Sequence, residues 1–123
     1  MLTIEQSISR LKINLVRKRP FYGVILMKLN DMKESNTTNI MSTDGENIYY
    51  NKKYMEQLNE AERNFYLLHQ LYHCIFMHPS RMINKDIKIA NIAADFLVNY
   101  YIDMEKNEFK KAGIIINIPK DAY

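Results

Sequence analysis

The segment from Asn59 to Pro79 constrains this chain most. Asn59 with Glu62 three residues on is a helix-start signal, in which the two side chains satisfy each other's backbone N–H groups. From there Phe65, Leu68, Tyr72, Ile75 and Phe76 recur at helical spacing as an apolar stripe to about Met77, and Pro79 closes the helix. A long helix with one apolar face needs other elements laid against that face, so the rest of the chain is read as what covers it. At 123 residues the chain is one domain, long enough for a core without cross-links.

The flanking segments supply the cover. Thr3 and Gln6 form a second capping box, and Ile4, Ile8, Leu11 and Leu15 predict a helix over about 4–18, stopped by Pro20. The β-formers from Phe21 to Leu29 predict a strand over 22–29, and the polar segment Asn30 to Asn39 reads as a loop. Asp44-Gly45 between Ile40–Thr43 and Asn47–Tyr50 is a hairpin signal. A short helical turn is expected at about 53–58, a long helix at about 86–104, and a short strand at Ile114–Ile118 after Gly113. The order is helix, strands, helix, helix, strand, which predicts an α+β layer fold in one domain spanning 1–123.

Composition excludes several classes. Apolar residues are 47 % and charged residues 25 %, an ordinary globular balance. The single Cys74 rules out an internal disulfide framework, and no apolar run approaches the ~20 residues that span a bilayer. The N-terminus lacks the layout of a signal peptide, so a cytoplasmic location is expected, with no membrane partner. The net charge of +3 is mild. Arg17-Lys18-Arg19 sits where cations suit a helix C-terminus, and no framework of a nucleic-acid reader accompanies it, so no specific nucleic-acid partner is expected.

The chemistry concentrates in His69-Gln70-Leu71-Tyr72-His73. Two histidines four apart project about 40° apart on a helix and can meet one ion, as in the zinc-peptidase pattern H-E-x-x-H. In that pattern the glutamate accepts the proton of the metal-bound water. Glutamine stands in its place here, and a carboxamide does not accept that proton at ordinary pH. A third ligand is open between His78, which Pro79 can turn out of the helix, and Asp95. Asn91, Asp95 and Asn99 form a polar line at i, i+4 and i+8 on a helix otherwise carrying Ile89, Ile92, Phe96 and Val98. Polar groups in that position need partners, which a metal site on the preceding helix would supply. The bland alternatives are packed histidines, a helix-terminal His78 and a solvent-facing stripe. Tyr66, Tyr72, Tyr100 and Tyr101 could polarise an oxyanion but read first as core, and Cys74 reads as packed.

Residues 69–81 and 91–99 resemble a metallopeptidase-type domain found ahead of von Willebrand A-like domains, whose pattern is H-E-x-x-H-x-x-x-x-H-x-x-R, then N-x-A-A-D-x-x-x-N. Arg19-Pro20-Phe21-Tyr22-Gly23, Thr43-Asp44-Gly45 and Tyr49-Tyr50-Asn51 match further elements, so the likeness covers roughly residues 10–120. The resemblance implies a zincin-like fold, with a small sheet and hairpin packed on a metal-binding helix and a second long helix beside it. It implies Zn2+ held by His69 and His73, with Asp95 (or His78) third, and Asn91 and Asn99 behind the ligands. It implies a peptide or protein as substrate or partner, MoxR-type ATPases as neighbours, and a chain that can be the N-terminal part of a longer protein. Gln70 departs from the pattern at the general base. The expectation is therefore a metallopeptidase-like domain without hydrolytic activity as it stands, whether the glutamine is natural or introduced, or else a natural pseudopeptidase that binds a partner.

Overall fold

The computed structural model describes residues 3–28, 32–38, 40–76 and 87–118, and the account below concerns those. The elements in order are α1 (Ile4–Lys18), α2 (Pro20–Lys28), β1 (Met32–Glu34), β2 (Met41–Thr43), β3 (Ile48–Tyr50), α3 (Lys52–Met55), α4 (Glu60–Ile75) and α5 (Ile87–Lys111). The fold is α+β, mostly helical with one small mixed sheet. In that sheet β3 is central, β1 runs parallel to it and β2 antiparallel.

Both capping boxes form. The Thr3 hydroxyl accepts from the Gln6 N–H at 3.1 Å while Gln6 Oε1 accepts from the Thr3 N–H at 2.9 Å. Asn59 and Glu62 do the same for α4, at 2.8 and 3.1 Å. The apolar stripe of α1 (Ile4, Leu11, Leu15) joins Leu67, Leu68 and Leu71 of α4, Ile48 and Tyr50 of β3, and Val98, Ile102 and Phe109 of α5 in one buried cluster. Each such side chain contributes roughly 1.5–3 kcal/mol by leaving water. Helix α4 is the common wall, with α1, α2, β2 and α5 packed around it.

Four expectations change. The strand expected over 22–29 is the helix α2, because tertiary packing overrides β-propensity. Gly23 lies so close to α1 that a Cβ there would stand 2.7 Å from the Val16 Cα and backbone N, which closes a tight helical hairpin. The segment read as a loop over 30–39 contains β1, whose register on β3 is Met32↔Ile48. The long third helix runs to Lys111, seven residues beyond the expected end, and stops where Gly113 takes φ +81°. Residues 114–118 form no strand. Instead α4 takes their backbone groups, the Asn64 Nδ2 donating to the Ile115 carbonyl at 3.0 Å and the Asn117 N–H to the Ala61 carbonyl at 3.2 Å. The hairpin and the helical turn, here α3, are as expected.

Arg19 of the basic cluster turns inward. Its guanidinium reaches Glu105 Oε2 at 3.2 Å and lies 4.9 Å from the centre of the Phe109 ring. The same carboxylate oxygen accepts from the Tyr22 and Tyr72 hydroxyls at 2.8 and 3.1 Å, so one group ties the α1–α2 junction, α4 and α5 together.

At the hairpin turn, N–H groups of Asn47 and Glu46 and the Tyr49 hydroxyl hold the Asp44 carboxyl well below the usual carboxylate range. A depressed carboxyl stabilises above its unfolded pKa of about 3.9 and loses that contribution as pH falls below it. Taking the protein from about pH 5 to about pH 3 should therefore cost the wild type more stability than Asp44→Asn, read from urea midpoints at each pH. Gly23→Ala should destabilise by up to about 2 kcal/mol: displacing backbone costs about 1–3 kcal/mol, against the roughly 1 kcal/mol of helix propensity alanine returns. An unchanged midpoint would show that α1 and α2 part without cost.

Candidate metal centre

His69 and His73 leave α4 on one face, one turn apart, and α5 brings Asp95 against that face. His69 Nε2 lies 3.1 Å from Asp95 Oδ1, His73 Nε2 lies 3.0 Å from the same oxygen, and the two Nε2 atoms are 3.0 Å apart. Three donor atoms thus form a nearly equilateral triangle. Ligands at ~2.0–2.1 Å on a tetrahedral ion stand ~3.3 Å from one another, so a small shift from the observed spacing accommodates such an ion. These residues are the group able to hold a metal among those described.

The electrostatics suit a cation. Burial opposes the ionisation of Asp95, but hydrogen bonds from His69 and His73 outweigh it and hold the carboxyl well below the usual range. The triangle therefore has one anionic corner at neutral pH. Both imidazoles are largely enclosed, 12 % and 13 % exposed, whereas the Asp95 side chain is 52 % exposed. The triangle is thus exposed to solvent on its Asp95 side.

Behind the ligands, Asn99 is buried and its Oδ1 lies 2.9 Å from His69 Nδ1. An amide oxygen accepts, so Nδ1 donates to it, which leaves Nε2 as the ring nitrogen an ion would take in place of its hydrogen bond to Asp95. Of the polar line on α5, Asp95 and Asn99 reach α4. Asn91 does not: it is exposed and makes no hydrogen bond to the triangle. His78, the other candidate ligand, lies outside the described residues.

Gln70 points elsewhere. It is buried, and its Nε2 donates to the Met41 carbonyl of β2 at 3.1 Å. Sequence gave no sign of this contact, because its acceptor is a backbone group far along the chain. Tyr72 is also turned from the triangle, towards Glu105, and burial together with its neighbours Tyr22 and Glu105 pushes its ionisation far up. Tyr66 and Tyr101 are half-buried against the core and Tyr100 is exposed. Cys74 is half-buried, its Sγ 3.5 Å from Thr43 Oγ1, and burial pushes its thiol up. It packs, as expected.

The profile of a family described as "Putative metallopeptidase domain" matches residues 3–115, which takes in every element above. Comparison with curated proteins and with solved structures finds no match.

Asn99→Ala should weaken metal binding roughly 10–100-fold by freeing the His69 ring. Asn91→Ala should leave it unchanged. Titration of the metal-free protein with zinc against a competing chelator measures both, and equal affinities for the two variants would remove Asn99 from the site.

Proposed function

The chain belongs to the family of "Putative metallopeptidase domain" proteins, and we propose that it is a zincin-like, single-domain zinc protein whose hydrolytic base is missing. The 3.0–3.1 Å triangle of His69, His73 and Asp95 carries the reading. Two imidazoles and one carboxylate, with an open side, are the donor set of a zinc site that keeps a position for water or a carbonyl oxygen. Bound zinc would supply Lewis acidity to that oxygen.

The chain's own residues set the rest. Asn99 fixes the His69 tautomer, and Asp95 brings the negative charge that retains a divalent ion. At position 70 the carboxamide offers no basic lone pair, and its NH2 group donates to the Met41 carbonyl. General-base catalysis typically contributes 10²–10⁴-fold, so peptide hydrolysis is expected to be lost or nearly so. Two readings share this chemistry: a metallopeptidase-like domain inactive as it stands, and a natural pseudopeptidase that binds a protein segment beside a structural metal. The buried Gln70–Met41 bond favours the second. The partner proposed is a peptide or protein, with a MoxR-type ATPase as a candidate by family resemblance, in the cytoplasm.

Elemental analysis should find about one zinc per chain, lost in His69→Ala and in Asp95→Ala. Zinc at 100 times its dissociation constant should stabilise the wild type by about 2.7 kcal/mol, and peptide libraries should not be cleaved. Protein without stoichiometric metal, and indifferent to added zinc, would sink the proposal.

A further inference from the structure

The glutamine that removes a base also adds a donor, and the fold uses it. Strand β2 lies at the edge of the sheet. The Asn51 N–H donates to the Ile40 carbonyl, so Ile40 and Asn51 face each other through backbone hydrogen bonds. The next pair, Met41 and Tyr50, then turns its backbone groups away from one another. The Met41 carbonyl consequently points out of the sheet, towards α4, where Gln70 meets it at 3.1 Å.

A second contact fixes the register. Four residues further along α4, Cys74 lies against Thr43, two residues further along β2, with Sγ and Oγ1 3.5 Å apart. Four helical residues rise ~6 Å and two strand residues ~6.7 Å, so helix and strand run alongside each other in step. Gln70 and Cys74 therefore form a line on α4 about 100° from the line of His69 and His73. The first line holds the sheet edge and the second holds the donor triangle.

We propose that Gln70 is a positioning residue that straps the edge strand β2 to α4 beside the metal ligands. The loss of the base and the seating of the sheet edge are then one feature, and restoring the glutamate does not restore a peptidase. A glutamate carboxylate only accepts, and would set an oxygen against the Met41 carbonyl oxygen at about the spacing of a hydrogen bond. The inference deepens the metal-site reading, but its principal test needs no metal, so the two fail separately.

The test compares wild type, Gln70→Glu and Gln70→Met as full-length, metal-free protein. Backbone hydrogen exchange is followed over residues 40–51, with α1 as internal reference, together with the carbonyl ¹³C signal of Met41 and the side-chain amide of Gln70. Expected are a slowly exchanging Gln70 amide in the wild type, a displaced Met41 carbonyl signal in both variants, and exchange over 40–51 accelerated tenfold or more with α1 unchanged. Methionine keeps the size and drops the donor, so protection retained in Gln70→Met overturns the strap. Cleavage of peptides by zinc-loaded Gln70→Glu overturns it as well. Where a variant does not fold, the wild type decides: a fast-exchanging Gln70 amide refutes the proposal. Zinc content of the wild type reports separately on the metal site.

Discussion

A helix enclosed on several sides cannot leave a buried polar side chain unanswered, and α4 is such a helix. An unsatisfied buried polar group costs about 1–3 kcal/mol, comparable to what a core side chain contributes. Each polar residue on α4 therefore selects a neighbour. Arg63 reaches the Met55 carbonyl and the Ser7 hydroxyl at 3.0 and 2.9 Å, joining α3 and α1. Asn64 takes the chain after α5, Gln70 takes β2, Tyr72 takes Glu105, and His69 takes Asn99. The apolar cluster drives compaction, and these hydrogen bonds decide which element lies where.

The donor triangle belongs to the same scheme. Helix α5 is held to one stretch of α4 from two places along its own length, by Asp95 and Asn99 against the two histidines and further on by Glu105 against Tyr72. Ten residues separate Asp95 from Glu105, about 15 Å along a helix, so the two contacts act as separate fasteners and fix the rotation of α5. That rotation is what aims Asp95 at both imidazoles. The geometry of the site thus rests on a carboxylate that takes no part in it.

Where the signal was local, the sequence was legible. Both capping boxes, the hairpin at Asp44-Gly45, the helical stripes and the i, i+4 histidines all lie within a few residues, and all appear as expected. Asp95 and Asn99 were legible because polar groups on an apolar helix demand partners. Legibility ended where partners are distant or are backbone. Nothing near Gln70 announces the Met41 carbonyl, and Met32–Glu34 carries little strand character until β3 lies beside it. At Ile114–Ile118 the β-branched run suggested a strand, whereas the backbone there bonds to a helix.

The helix α2 has a consequence for the chain before it folds. Phe21-Tyr22-Gly23-Val24-Ile25-Leu26-Met27 is uncharged, aromatic and β-branched, the composition of a segment that stacks into intermolecular sheets. Its helical form depends on the close approach of Gly23 to α1, a contact absent until the hairpin has closed. During synthesis or refolding the segment is thus exposed to partner strands from other copies, with Arg19 on one side and Lys28 on the other as its charged flanks. Speed of closure between α1 and α2, rather than final stability, then sets how much of this protein escapes aggregation.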